Sequence, residues 1–558
     1  MIRRWSVVLF YLVVASLALN SLVMHLGTAL PGTLQIQASE EIQPAEFDIF
    51  AWDLWWVPYA VFSLHVSPLY TNYVVYPFTS PLAGHTLLSL WGLASAPFQA
   101  WLGLTPTFNG IIVLCFVAAG VVMYLFARRH VRHESLALLA GLIFAFTPAM
   151  LHRASLGHLA ELFVFWLPLI LLIWDQAVES RRWTWAVALG LCLYLAWQTD
   201  FQLTMWAMCL WIPYAIYGLL VHRGESKPGL RLEWLAAIAL VALIVPSLIA
   251  PLPQLLEAKR LNYPLADLNH AAYFAFWPKY LFAPEENGDF SIGVLLPLLT
   301  LVSVPLIRRD SRRWLWLGIG VMCFILALGP FWKVGSTRVL LPYTLVHVLL
   351  GYQYRTPMRF ATPGVLALAM LVALSLDQVV SRLRLATRWR WLLVGGLSLL
   401  FVWDYRLLRP FPITQMPDYQ IYHTLAAEPG DFTLLEIPVA VRTGFAIVGR
   451  GEYLQYYQTV HHRPIPTGYL SRLPAEVTDF YYFDPLIGAL SLSQALPPDT
   501  DARLGQLIRD WKIGYVILHR DMLEPERVVW FGDVLDRQPA LQRVGEEGPL
   551  VIYRARSP

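Results

Sequence analysis

From Met1 to about Trp403 the chain is a succession of long apolar runs joined by short loops, and the basic residues fall on alternate loops. No Lys or Arg occurs between Gly32 and Gly110. The joints Arg128/Arg129/Arg132, Arg181/Arg182, Arg223/Lys227/Arg231, Arg308/Arg309/Arg312/Arg313 and Arg382/Arg384/Arg388/Arg390 are basic. Positive charge is retained on the cytoplasmic side of a bilayer, so these joints and Arg3/Arg4 are expected inside and the other loops outside. Composition agrees: 14% of the 558 residues are charged and 57% are hydrophobic, where a soluble chain carries roughly 25% charged residues. The net charge of +3 is small and its basic residues sit at predicted membrane edges, so no nucleic-acid partner is implied.

The pattern predicts a polytopic α-helical membrane protein with about 11 crossings. The first is Trp5 to Leu30, read as a retained span because many apolar runs follow it. The others are about 111–127, 135–150, 159–174, 183–199, 201–220, 232–249, 292–307, 314–329, 364–380 and 391–403. Outer loops are expected at about 31–110, 250–291 and 330–363. VLLPYTLVHVLL in the last is read as re-entrant, because Pro342 interrupts a full span. Residues 1–403 thus form the membrane domain, with the N-terminus cytoplasmic. Residues 404–558 follow as an extracytoplasmic soluble domain. FTLLEIPV, IGYVILHR and PLVIYRA read as strands and ARLGQLIRDW as an amphipathic helix, which makes that domain α/β. The four cysteines lie in apolar runs without CxxC spacing and read as packing residues. No Gly-rich phosphate loop is present.

Chemistry is sought among the ionisable residues of the outer face, since charge at a membrane edge is costly unless hydrated, paired or used. Asp48 and Asp53 stand five positions apart in FDIFAWDLWWVPYAVF, toward roughly one side of a helix lying at the interface. Asp48 is the leading candidate for a general base acting on a hydroxyl. Asp200, between two predicted spans, is a second acid or the cap of the helix beginning at Phe201. His152 and His158 flank an outer turn and lack the HExxH zinc spacing. In GYQYRTPMRF, Arg355 and Arg359 are four apart and on one side if helical, where paired guanidinium groups suit a phosphate. Lys279 is a further phosphate candidate, and Asp267 belongs to the same acidic outer loop. Glu285, Glu286 and Asp289 are weak candidates for a divalent cation, the one cofactor considered. In the tail, YLQYYQTVHHRPIPTGYLSR offers His461, His462 and Arg463 to a carbohydrate or to domain packing.

Taken together, FDIFAWDLWW, YPFTSPLAGH with its terminal His85, LGHLAELFVFWLPL, DFQL, YPLADLNH…PEENGDF and QYRTPMRF resemble the polytopic glycosyltransferases of the GT-C fold. The likeness is diffuse but covers most of the chain. It is nearer still to bacterial membrane proteins of this architecture, some carrying a 6-pyruvoyl-tetrahydropterin synthase-related label that no residue here supports. The resemblance implies transfer, with inversion, from a polyprenyl-phosphate-linked sugar to a glycan, lipid or protein acceptor of the cell envelope. It also implies an early loop carboxylate as base, the position matched by Asp48. Asp200 and Asp267 contend for a second acidic position. A transporter or lipid-linked glycan flippase, or a noncatalytic envelope assembly protein, are the alternatives. The first would require polar groups deep in the spans.

Overall fold

The computed structural model describes residues 4–33, 46–82, 84–180, 182–221, 263–276, 291–307, 310–334, 336–350 and 354–556. Its longer helices begin with α1 (Arg4–Ala18), α2 (Phe47–Pro58), α3 (Ser89–Leu102), α4 (Leu104–Arg128), α5 (Glu134–Ala145) and α6 (Pro148–Ser155). They continue with α7 (Trp166–Ser180), α8 (Trp183–Thr199), α9 (Phe201–Val221), α10 (Ser311–Ala327), α11 (Ala361–Arg382) and α12 (Thr387–Asp404). The tail adds β1 (Thr433–Ile437), α13 (Thr500–Asp510), β2 (Ile513–His519), α14 (Pro525–Arg537), β3 (Leu541–Glu547) and β4 (Leu550–Ala555). Contacts divide the chain into two units: residues 1–27, 109–249 and 265–412, and residues 28–108, 250–264 and 413–558.

In the first unit, α11 is apolar on every side and buried along most of its length, as a helix surrounded by other helices must be. It packs on α10 where Gly320 admits the Leu368 side chain and Gly364 admits Phe324. Tyr11 fills a notch made by two glycines and donates to the Leu138 carbonyl at 2.8 Å. A methyl group on Gly141 would stand 2.1 Å from its hydroxyl. Large apolar side chains also face outward, among them Trp5, Leu9, Leu301, Leu392, Leu399 and Trp403, an arrangement suited to lipid as the surrounding solvent.

Among the described residues three helical stretches are long and apolar enough to cross a membrane: Leu104–Arg128, Leu159–Ser180 and Pro357–Arg382. The pair Glu134–Ala145 and Pro148–Ser155, bent by 44°, makes a fourth if taken as one span. This is fewer than the eleven crossings expected. The expected first span stops at Ala18 and resumes as the five-residue helix Asn20–Met24. The expected eighth is a nine-residue helix, Leu295–Ser303, continued by a 3-10 turn, and the span expected at 232–249 lies outside the described residues. The bend between α5 and α6 is encoded locally. Thr147 leaves the helix, accepts from the Met150 N–H at 3.3 Å, and places Pro148 where a missing N–H costs nothing.

The second unit is built on a sheet of order β3-β4-β2-β1. β2 runs parallel to β1, pairing Val516 with Leu435 and Ile517 with Glu436, and antiparallel to β4. Strands covered on both faces read as nearly continuous apolar runs, which is why FTLLEI and IGYVILH were legible. The amphipathic helix α13 buries Leu504 and Ile508, and α14 buries Phe531, Val534 and Leu535. The core is shared with the early segment: Trp52, Trp55, Trp56, Val74, Val75 and Leu82 join Leu435, Leu454, Ile465 and Val516 in one cluster. Gln458 locks this arrangement, accepting from the Trp52 indole N–H at 2.7 Å while donating to the Tyr73 and Arg463 carbonyls.

Candidate functional site

Within the second unit, α2 presents Asp48 in its first turn, where the helix dipole favours a carboxylate. The side chain is 1% exposed, and among the described residues its Oδ2 has no hydrogen-bond partner. Beside it, Arg442 makes ion pairs with Glu46 at 3.1 Å and Glu452 at 3.4 Å, and its guanidinium lies 4.6 Å from the Tyr469 ring centroid. Tyr469 donates its hydroxyl to Glu46 at 3.3 Å. Burial, reinforced by the negative charge of Glu452, raises the Asp48 carboxyl to about 8 against the opposing pull of Arg442. The adjacent Phe47 meets Tyr456 edge to face, and the Tyr456 hydroxyl lies 3.0 Å from Thr105 at the start of α4. The acid therefore stands one aromatic contact from the point where a membrane-length apolar helix begins.

Asp53 has a different setting. A five-residue step turns a helix by about 140°, so Asp48 and Asp53 do not share a side as the sequence reading expected. Asp53 is buried and meets His85 Nε2 at 2.9 Å. His85 Nδ1 in turn lies 3.0 Å from Ser471 Oγ and accepts from the Ser471 N–H at 3.1 Å. Burial raises the Asp53 carboxyl while His85 pulls it down.

The tail candidates are engaged in packing. His461 is buried beside Tyr422 and accepts from the Arg463 N–H at 3.0 Å, and burial drives its imidazole well below the ordinary range. His462 stacks on Trp55 at 5.5 Å. Arg463 donates to the Leu425, Glu428 and Gly430 carbonyls, closing the C-terminal end of helix Gln420–Ala427.

The first unit holds a separate polar chain. Glu161 receives Arg359 at 2.5 Å, Arg153 at 3.2 Å and His158 at 3.2 Å. Arg359 also donates to Gln202 Oε1 at 3.2 Å, and the Gln202 side chain donates to Asp200 Oδ2 at 3.1 Å. Arg153 continues to Thr362 at 2.9 Å. Asp200 accepts from the Gln202 N–H at 2.8 Å and so caps the start of α9, while also belonging to this network. Asp200, His158 and Arg359 are thus brought together. His152 is half-buried on α6, next to Arg153.

Arg355 and Arg359 do not lie on one helix. Pro357 holds the preceding residue out of the helical region, and the 3-10 turn Pro357–Phe360 takes only Arg359. Arg355 instead covers the Phe274 ring at 5.4 Å and approaches His270 Nε2 at 3.4 Å. Asp267 caps the helix Leu268–Tyr273 by accepting from the His270 N–H at 2.6 Å.

Lys279, Glu285, Glu286 and Asp289 lie outside the described residues. Among the described residues no group of three or more His, Cys, Asp or Glu side chains is arranged to hold a metal ion. Sequence reasoning passed over Arg153, Glu161, Gln202, Arg442, Glu452 and Ser471. The first two carried a usable signal, opposite charges flanking the turn in LHRASLGHLAE. Arg442 and Ser471 had none for their contacts with Glu46 and His85, which lie hundreds of positions away, and the Arg442–Glu452 pair, ten positions apart, was not singled out.

No protein-family model matches the sequence, and no curated protein does. Among solved structures the chain is similar to the mycobacterial arabinofuranosyltransferase AftD, with 15% identity and a TM-score of 0.55 over 100% of this chain and 40% of that one. A mutant form of AftD gives 0.51 at 15% identity over 99% and 42%. ArnT from Cupriavidus metallidurans is a weaker likeness, with a TM-score of 0.47 at 13% identity over 98% of this chain and 97% of that one. The chain spans about two fifths of the length of AftD. Identity this low conveys fold alone. Neither fold nor comparisons support the 6-pyruvoyl-tetrahydropterin synthase-related label. The apolar helices mark this as a membrane protein, and its fold is similar to that of AftD.

Proposed function

We propose that this protein transfers a glycosyl group from a polyprenyl-phosphate-linked sugar to an acceptor hydroxyl outside the cytoplasm, with inversion at the anomeric carbon. The observation that carries the reading is Asp48: a buried carboxyl with, among the described residues, one unpartnered oxygen, held beside Arg442 and next to Phe47, which reaches the first turn of α4 through Tyr456. As the acceptor oxygen bonds to the anomeric carbon, its proton passes to Asp48, the carbon–oxygen bond to phosphate breaks, and the phosphate departs with the electron pair. A base whose conjugate acid is raised by burial is better matched to a hydroxyl proton than an exposed aspartate.

Arg355 and Arg359 are the groups proposed to bind phosphate charge within the first unit, with Arg359 oriented by Glu161 and Gln202. Asp53 is assigned the anchoring of α2 through His85, and Asp200 the orientation of Gln202. We place the N-terminus in the cytoplasm and the second unit outside it, on the alternation of basic loops. No divalent cation enters this scheme.

The test is transfer from labelled polyprenyl-phosphate sugars in proteoliposomes, with Asp48→Asn beside wild type. Loss of transfer in the variant, with its folding intact, supports the assignment. Full activity in the variant removes Asp48 from the base role, and no transfer by wild type from any such donor removes the reading itself.

A further inference from the structure

Several carboxylates facing one buried point ordinarily invite a divalent cation, which takes six or more oxygen ligands at about 2.0–2.6 Å. In the second unit Glu46 and Glu452 both pair with Arg442, and Asp48 feels the charge of all three, so an arginine stands where a cation would otherwise be drawn. We propose that Arg442 is the built-in cation of this cluster, and that the acid site therefore takes no divalent metal. The inference deepens the reading of the Asp48 site, but its test measures metal binding and stands whether or not transfer is observed.

Three features hold the guanidinium in place. Its two terminal nitrogens are divided between the two glutamates, 3.1 Å to Glu46 and 3.4 Å to Glu452, so both Oε1 atoms are turned toward it. The Tyr469 ring lies against its face, and the Tyr469 hydroxyl takes the remaining direction at Glu46 Oε1. Its backbone is fixed from both sides, opposite Ile447 in an antiparallel pair and opposite Tyr469 in a parallel one. The Arg442 carbonyl also accepts from the Leu470 N–H at 3.1 Å.

A metal entering here would have to displace a largely covered, doubly paired guanidinium, leaving that charge unpaired. A guanidinium also differs from a metal in what it leaves free. It consumes no lone pair of Asp48, whose Oδ2 stays available to a hydroxyl proton. The cluster then suits an uncharged polyol acceptor better than an anionic one, since the two glutamates outnumber the one arginine.

Mn2+ serves as probe, read by electron paramagnetic resonance on the full chain after chelator treatment. Wild type and Glu452→Gln are expected to take up equal Mn2+. Arg442→Ser, which opens the space between the glutamates, is expected to gain one site at least about tenfold tighter than any in wild type, lost again in Arg442→Ser/Glu452→Gln. Arg442→Lys is expected to behave as wild type. A wild type that binds one more equivalent than Glu452→Gln overturns the proposal, as does a folded Arg442→Ser protein that gains no site. Should Arg442→Ser fail to fold, the comparison of wild type with Glu452→Gln decides alone.

Discussion

Asp53 and His85, 32 positions apart, meet at 2.9 Å in a fully buried pair, and that contact fixes how α2 is turned about its own axis. The pair is completed by Ser471 from the tail, so one imidazole joins three distant parts of the chain within a single unit. Removing the imidazole leaves a carboxylate without its counter-group in a dry site. His85→Ala is expected to destabilise by about 3–5 kcal/mol. Asp53→Asn, which still offers an acceptor oxygen, should cost only about 1–2 kcal/mol. Thermal unfolding of the purified protein separates the two, and equal losses would contradict the pairing.

The raised carboxyl of Asp48 has a consequence whose sign can be worked out. An unfolded aspartate titrates near 3.9 and the folded one near 8, so between those values the folded protein holds a proton that the unfolded chain has released. Stability therefore falls as pH rises through this window, and it is fully present only below it. Asp48→Asn should flatten that slope, most visibly between pH 5 and 8. If Asp48 is the base, log(kcat/KM) should climb with pH and level off near 8. Melting curves and initial rates across the same buffers read the two effects independently.

Glu161 collects two arginines and His158, and Arg359 is the one that also reaches Gln202. Arg359→Met is expected to cost about 3 kcal/mol by stripping a buried carboxylate of its shortest partner. Adding Glu161→Gln should return part of that loss, with a coupling energy of about 1–3 kcal/mol in a double-mutant cycle. Strict additivity would mean that the two side chains do not act together.

Tyr11 in its glycine notch makes a steric prediction. Gly141→Ala places a methyl group against the tyrosine hydroxyl and should cost about 1–3 kcal/mol. Gly110→Ala, where nothing lies near, should be close to neutral. Melting temperatures of the two variants test the contrast.

What the sequence showed, and what it withheld, divides along the range of the interactions. Periodicity and apolar length are local, so the span expected at 111–127 was found, though its helix, Leu104–Arg128, begins seven residues earlier, and the strands at Thr433–Ile437 and Leu550–Ala555 were read closely. Element ends were less legible: Leu19 interrupts an apolar run that composition alone would carry to Leu30. Pro357 was visible in QYRTPMRF, and its steric effect should have ruled out one helical side for Arg355 and Arg359. The surroundings of Asp48 were not legible. Arg442 lies 396 positions from Glu46, and no local pattern states which glutamate a tail arginine will choose.

Trp52, Trp55 and Trp56 share their core with strands that are synthesised about 380 residues later, so for much of translation these indoles lack their partners from the tail. At about 5–20 residues per second the interval is roughly 20–75 s. Indole is at ease in the headgroup layer of a bilayer, which offers α2 a holding place until the ribosome delivers its other half. A nascent chain stopped before Thr433 should consequently keep this segment sensitive to protease and to membrane-soluble quenchers, and release should bring protection.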